Sequence, residues 1–237
     1  MSRALQFLAA ALLLAPSLGL AAERTGVIDV RGTRVELPVP EGYVQASIDM
    51  PEWITLSQSV APAGARAEEV LLQAECASDP DALFCPATIE VLSLPAKLTR
   101  EQWRSVRAEM IEQLGGDTRA MQEAALDRAR KKVEEQGVTF TRDTSAKAVL
   151  VALDDVRSVR FYLPAPGRYD ADGVTLEQLR VVAQLVIEGQ MMFVAISRDF
   201  PAGEGTPEAH QALVAQLDEF LTDLYALNPE YLAAPAE

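Results

Sequence analysis

The alternation of apolar and polar positions is sharpest between Leu179 and Arg198, in the stretch LRVVAQLVIEGQMMFVAISR. Val and Ile on both sides of Gly189 favour two strands over one buried helix, because β-branched side chains lose χ1 freedom on a helix. Glu188-Gly189 supplies a two-residue turn, with Gly adopting the positive φ that twisted, paired strands need. That turn sets Ile187 opposite Gln190, Leu185 opposite Met192, Ala183 opposite Val194 and Val181 opposite Ile196. One face then carries Leu179, Val181, Ala183, Leu185, Ile187, Met192, Val194 and Ile196. The other face is mixed, with Arg180, Val182, Gln184, Val186, Glu188, Met191, Phe193, Ala195 and Ser197. A one-residue slip would scramble the two sets, so the pattern holds its own register. A central antiparallel pair is expected, covered fully on one side and partly on the other.

Shorter alternations surround it. Thr25 to Leu37 predicts a hairpin turning at Arg31-Gly32 and ended by Pro38, Pro40 and Gly42. Trp53 to Ser59 reads as a strand, and Pro62 to Gly64 as a loop. Glu69 to Glu75 and Thr88 to Leu94 read as two strands joined by a loop that carries both cysteines. Val138 to Arg142 is a short strand. Ala148 to Leu153 and Val156 to Leu163 predict a further hairpin turning at Asp154-Asp155, and Pro164 to Gly173 an irregular loop.

Helical periodicity appears three times. Leu98 to Leu114 opens with Thr99 and Gln102 at capping-box spacing and with Leu98 and Trp103 at staple spacing; Gly115-Gly116 stops it. Trp103, Val106, Met110, Ile111 and Leu114 share one side. Asp117 to Gln136 has only a thin stripe of Met121, Ala125, Ala129 and Val133. Its charged flanks read either as a solvated face or as a partner-binding surface. The last helix starts with Thr206 as N-cap and Pro207 at N1, and Asn228-Pro229 ends it. Its stripe of Leu213, Leu217, Phe220, Leu221, Leu224 and Leu227 is expected to lie on the fully apolar face of the Leu179–Arg198 hairpin. Met191 and Phe193, on the mixed face, are core if the Asp117 helix covers them and a partner surface if it does not. The pattern as a whole predicts an α+β fold, an antiparallel β-sheet flanked by helices in an α/β/α sandwich.

The first residues, MSRALQFLAAALLLAPSLGLAAE, have a different logic. Arg3 is a one-charge n-region, Leu5 to Leu14 an apolar h-region, and small residues permit cleavage after Ala21 or Ala22. A bilayer span needs about 20 apolar residues, more than this run supplies. Residues 1–22 are therefore expected to be a removed signal peptide, with 23–237 as a single exported domain. The alternative is a retained anchor. After cleavage no stable membrane insertion is expected.

Charge narrows the partners. Lys and Arg total 21 against 35 Asp and Glu, a formal net charge of −14. Nucleic-acid binding needs clustered cations to neutralise phosphate and is not expected; adhesion to an anionic membrane surface is disfavoured too. Arg far outnumbers Lys, which occurs only at 97, 131, 132 and 147, and Ala is abundant. Such a composition suggests a bacterial source, which makes the exported compartment the periplasm, or otherwise the exterior. Cys76 and Cys85 fit an oxidising compartment. They enclose ASDPDALF and are expected to form a structural disulfide, worth about 2–3 kcal/mol on the chain-entropy model. A free or redox-active pair is the alternative.

Candidate chemistry is sparse. His210, the single His, stands on the first turn of the last helix without a recognisable nucleophile motif. Asp170-Ala171-Asp172-Gly173 matches half of a calcium loop. With Gly173 at the sixth position, the twelfth falls on Leu179, so the bidentate Glu is missing and a turn is the better reading. Asp154-Asp155 is first a turn. Trp53, Trp103 and Tyr169 offer aromatic surfaces for a ligand. No catalytic residue, metal ligand or cofactor is expected.

The order of elements adds a resemblance. Strands around VELPVPEGY, the capped helix LTREQWRSVRAEMIEQLGG, the hairpin LRVVAQLVIEGQMMFVAIS and the closing helix HQALVAQLDEFLTDLYAL follow one another as in the PsbP-like α/β/α sandwich group, which includes exported bacterial proteins of the DcrB-like type. The Cys76–Cys85 loop and the Asp117 helix depart from it. The resemblance implies a binding or accessory module without catalytic residues of its own. The expectation is thus a periplasmic, non-catalytic interaction module of the cell envelope with a protein partner there. A small-ligand module with a pocket between sheet and helices is the alternative, and a hydrolase a more distant one.

Overall fold

A computed structural model describes residues 24–62, 64–77, 87–115, 139–142, 149–152, 157–162, 167–171, 174–201 and 203–229. The predicted signal peptide, Cys85, the Asp117–Gln136 helix and the Asp154-Asp155 turn lie outside the described residues.

β1 (Arg24–Val30) and β2 (Thr33–Val39) form a separate two-stranded sheet. Arg31 and Gly32 both have positive φ, 53° and 84°, as a twisted two-residue hairpin requires. The Gly32 N–H donates to Asp29 Oδ1 at 2.8 Å and closes the turn. Pro38 was expected to end this hairpin. Instead β2 continues to Val39, with Pro38 opposite Thr25, because a two-stranded ladder tolerates a missing N–H near its end.

The larger sheet has nine strands, all antiparallel. Its path runs β3 (Tyr43–Gln45), β4 (Arg66–Gln73), β5 (Ala87–Lys97), β11 (Gln190–Pro201), β10 (Val174–Ile187), β8 (Ser158–Tyr162) and β7 (Val149–Ala152). β9 (Gly167–Ala171) pairs with the upper part of β10, and β6 (Thr139–Arg142) pairs with β9. Among the described residues the helices are α1 (Ala46–Asp49), α2 (Pro51–Val60), α3 (Ala74–Ala77), α4 (Arg100–Gly115) and α5 (Pro207–Leu227). Among the described residues no helix is long and apolar enough to cross a membrane.

The central pair, β10 and β11, has the register the turn dictates: Ile187 faces Gln190, Leu185 faces Met192, Ala183 faces Val194 and Val181 faces Ile196. Glu188 and Gly189 have φ of 49° and 80°. The eight residues of its apolar face are all buried. They pack with Leu213, Leu217, Phe220, Leu221 and Leu224 of α5 and with Ile28, Val30, Val35 and Leu37 of the small hairpin. One face of the sheet is therefore covered by α5 and the β1–β2 hairpin together. Among the described residues, two apolar groups cover parts of the opposite face. Trp103 of α4 packs on Val159, Val186 and Met191, while α1 and α2 pack on Val70 and Leu72. Helical and hairpin layers on both faces make an α+β sandwich around an antiparallel sheet.

Capping chemistry sets the helix starts. Thr99 and Gln102 form the reciprocal box: the Gln102 N–H donates to Thr99 Oγ1 at 3.2 Å and the Thr99 N–H to Gln102 Oε1 at 2.8 Å. The Leu98 N–H donates to Gly189 O at 2.7 Å, tying the entry of α4 to the central turn. At α5, Thr206 Oγ1 accepts from Ala209 N–H at 3.3 Å.

Three local expectations are corrected. Trp53 to Ser59 is not a strand but lies within α2; Pro51 at N1 and Glu52 in the first turn favour a helix start. The strand expected over Glu69–Glu75 begins earlier, at Arg66, and gives way to α3 at Ala74. Within Pro164–Gly173, which reads as irregular, Gly167–Ala171 forms β9, because the long strand β10 offers it an edge from Val174 to Gln178.

Candidate functional site

Two polar clusters stand out against this frame. The first is built on a bulge in β4. Ala67 pairs with Leu92 and Glu69 with Val91, so Glu68 is the extra residue, and Glu69 is turned onto the face that carries Val91. Glu69 is fully buried, at 0% exposure. Its carboxylate accepts from Gln45 Nε2 at 2.9 Å, from the backbone N–H groups of Ser47 and Val70 at 3.0 and 2.9 Å, and from the Ser47 hydroxyl. Glu68 accepts from Arg66 and from the Ser93 hydroxyl. That carboxylate raises the Arg66 pKa above its ordinary value.

Arg31, on the tip of the β1–β2 hairpin, donates to Ser93 Oγ at 2.8 Å and to Gly64 O at 3.1 Å. Arg66 donates to Asp29 O at 3.3 Å. From the α2 side, the Gln58 carboxamide spans the same bulge, accepting from Ala67 N–H at 2.8 Å and donating to Ala65 O at 3.0 Å. The bonds of Glu69 are made inside the fold, while those of Arg66 and Arg31 to Gly64 lie at its surface. The cluster is a clamp: it holds the small hairpin and α2 to the β4–β5 edge and satisfies two buried carboxylates in doing so.

The second cluster lies on the mixed face of the central pair. Arg180 Nη2 donates to Glu90 Oε2. Glu90 is opposite Ala195 and Arg180 opposite Ser197, so this ion pair reaches across β11 from its two neighbouring strands. Gln178 Nε2 donates to Asp199 Oδ1 at 3.1 Å one step further along. Between this polar strip and α4, Phe193 and Val182 are half-buried. Met191 is core; α4 covers it through Trp103.

The residues singled out in the sequence are not drawn together. Trp53 packs in the α1–α2 cluster and Trp103 beneath α4, as parts of two separate apolar groups. Tyr169 stands on β9 opposite Leu176. Asp170 is a strand residue opposite Thr175, with Asp172 and Gly173 outside the described residues. His210 is half-buried on the first turn of α5, and burial lowers its pKa below 6.5. Cys76 is buried in α3 beside Ala46, Met50, Val70 and Leu72. Among the described residues no group of three or more His, Cys, Asp or Glu is placed to hold a metal ion. Neither polar cluster was visible in the sequence. Glu68 and Glu69 become neighbours of Ser93 and Ser47 only through the bulge, and Glu90 meets Arg180 across 90 residues.

No family model matches the chain, and no curated protein matches it. Among solved structures, it is similar to the Saccharomyces cerevisiae Ran-binding protein Mog1p, at 14% identity and a TM-score of 0.38, over 84% of this chain and 94% of that one. A likeness of that size names neither a family nor a partner for this chain.

Proposed function

We propose that this chain is an exported, periplasmic protein-interaction module of the cell envelope, and that it engages an extended segment of its partner along the edge formed by β1, β3 and α1. The observation that carries the reading is the position of two apolar side chains. Val27 and Ile48 are the large hydrophobics exposed among the described residues, at 51% and 71%. Val27 is on β1, whose ladder with β2 takes up one side of the strand along its full length. Ile48 is on α1, directly after the edge strand β3. β1 touches β3, since a Cβ on Gly26 would run into the Gln45 side chain at the end of β3. An edge strand presents backbone donors and acceptors, and flanking apolar side chains give an added strand its specificity. The signal-like residues 1–22 and the Cys76/Cys85 spacing support the compartment, and the PsbP-like order of elements supports an accessory role.

Two measurements test this. Cell fractionation with N-terminal sequencing should find the protein in the periplasm beginning at Ala22 or Glu23; a cytoplasmic protein retaining Met1 refutes export. Crosslinking in periplasmic extract should capture a reproducible partner that Val27→Asp with Ile48→Asp loses while keeping the wild-type circular dichroism. An unchanged partner set, or none at all, refutes the edge.

A further inference from the structure

Hydrogen-bond parity and charge together select the strand that the β1 edge receives; the inference rests on the edge reading above. The two-residue turn at Arg31-Gly32 makes Val30–Thr33, Ile28–Val35, Gly26–Leu37 and Arg24–Val39 the bonded pairs of the hairpin. Thr25, Val27 and Asp29 on β1 therefore aim their N–H and C=O groups away from β2. Arg34, Glu36 and Pro38 on β2 aim theirs away from β1. Two contacts agree with this parity: Asn228 takes both the N–H and the C=O of Glu36, and Arg66 donates to Asp29 O at 3.3 Å.

The two edges of the hairpin end differently. On β2 the Asn228 carboxamide occupies Glu36, and Pro38 has no N–H to offer. On β1 the main-chain groups of Thr25 and Val27 that face outward have no hydrogen bond among the described residues. Thr25, Val27 and Asp29 are all exposed. An edge strand with unsatisfied donors and acceptors and an exposed β-branched side chain is a template for another strand.

A chain with a formal net charge of −14 can approach its own copy only where carboxylates do not meet. Antiparallel pairing of β1 with itself about Val27 meets that condition. Val27 falls opposite Val27, and each Asp29 opposite Thr25 of the other copy. Asp29 has Arg34 opposite it on β2, and Thr25 has Pro38, so one row across the four strands reads Arg34, Asp29, Thr25, Pro38. The central row reads Glu36, Val27, Val27, Glu36. Its two carboxylates stand about 14 Å apart at the ordinary strand spacing, beyond the screening length of about 8 Å. In that register every outward N–H and C=O of Thr25, Val27 and Asp29 has a partner, Asp29 O through its second lone pair. We propose that β1 pairs with β1 of a second copy, joining two hairpins into a four-stranded antiparallel sheet on a twofold axis at Val27. One strand pair is smaller than the standard interface of about 1,600 Å², so the dimer should dissociate on dilution.

The test is sedimentation velocity of the full chain as the cell produces it, at concentrations up to about 1 mM. The wild type should pass from monomer to dimer as concentration rises. Val27→Pro removes an outward N–H and none of the bonds to β2, so it should stay monomeric with the wild-type circular dichroism. Val27→Cys should form a disulfide between copies that the wild type, oxidised alongside, does not, because the Cα atoms of a bonded antiparallel pair lie about 5.5 Å apart. Thr25→Lys places a cation opposite each Asp29 and should tighten the dimer about two- to thirtyfold; Thr25→Asp should weaken it by a similar factor. The proposal is overturned by a chain that stays monomeric throughout, by a Val27→Pro variant that dimerises as the wild type does, or by Thr25 variants that leave the dimer unchanged. A monomeric chain that still captures a different protein through Val27 and Ile48 overturns the second copy and leaves the edge reading standing. A dimer that survives Val27→Asp with Ile48→Asp overturns both.

Discussion

The two faces of the nine-stranded sheet are made from the same strands and do different work. On the face under α5 and the small hairpin, every second residue of β10 and β11 is apolar and sealed, from Leu179 to Ile187 and from Met192 to Ile196. On the other face the apolar residues fall into two islands, under α4 and under α1–α2, with Glu90, Arg180, Gln178 and Asp199 on the strands between. A continuous apolar face places the elements and supplies most of the stability. The interrupted one carries an ion pair and a hydrogen-bonded pair between its apolar groups. The lesson is that a strand's two sides are independent designs, linked only by the pleat.

The largest expected effect sharpens that contrast. Leu185→Ala, on the sealed face, should cost about 2–5 kcal/mol in urea unfolding. Val182→Ala, on the interrupted face of the same strand, should cost about 1 kcal/mol, the central value for single substitutions. Equal losses would erase the distinction between the faces.

Next comes a comparison of the two charged clusters. Glu69→Ala strips the acceptor from Gln45, Ser47 and Val70, all within the fold, and should cost about 2–3 kcal/mol. Glu90→Ala leaves only a partly solvated arginine and should cost less than about 1 kcal/mol. The reverse order would mean that the Glu90–Arg180 pair, not the bulge, is the structural clamp.

A smaller effect is expected at the start of α4, which anchors one apolar island. Thr99→Ala removes half of the capping box and should cost about 1 kcal/mol by chemical denaturation. A neutral result would show that the Leu98–Gly189 backbone bond alone fixes the helix entry.

The smallest is a pH dependence. Burial lowers the His210 pKa below its unfolded value of 6.5, so the folded state resists its protonation. Above that value both states are neutral and His210 is silent. As pH falls below 6.5 the unfolded chain takes up the proton first, and stability declines until the folded-state pKa is passed. His210→Gln should flatten this part of the stability–pH curve. Glu101 and Glu208 act lower. Their pKa values are held below 4.5, for each first by its own backbone N–H and then by the Thr99 or Thr206 cap; what they contribute is present above 4.5 and lost as acid protonates them.

How much of this was legible in the sequence follows from how local each signal is. The central hairpin was readable to the residue, because a two-residue turn and a strict alternation fix one register. The Thr99 box and the Thr206–Pro207 start were readable because caps are written within a few positions. Trp53–Ser59 misled because a short amphipathic helix also alternates over a few residues; Pro51 was the signal to weigh. Strand β9 has the sequence GRYDA, with no apolar alternation at all, and exists because β10 is long enough to need a partner there. The bulge at Glu68 was invisible for a deeper reason. A single extra residue reverses which side every later residue faces, so the buried Glu69 looked like an ordinary polar position. The Glu90–Arg180 pair, which joins β5 to β10 across β11, depends on pairings about 90 residues apart that no local window contains.

One contact ties the last helix back to the first hairpin. The Asn228 side chain lies against β2 as a single added residue of strand would: its Oδ1 accepts from Glu36 N–H at 3.1 Å and its Nδ2 donates to Glu36 O at 2.8 Å. These partners are 192 positions apart. The small hairpin is fastened twice, to the β4–β5 edge through Arg31 and Arg66 and to the end of α5 through Asn228. Until α5 has been made, its inner residues Ile28, Val30, Val35 and Leu37 lack the helix that packs beside them. Contacts this distant in sequence are of the kind that slow folding, because loop closure comes before the contact that rewards it. The carboxamide of one asparagine thus joins the last helix to the first hairpin.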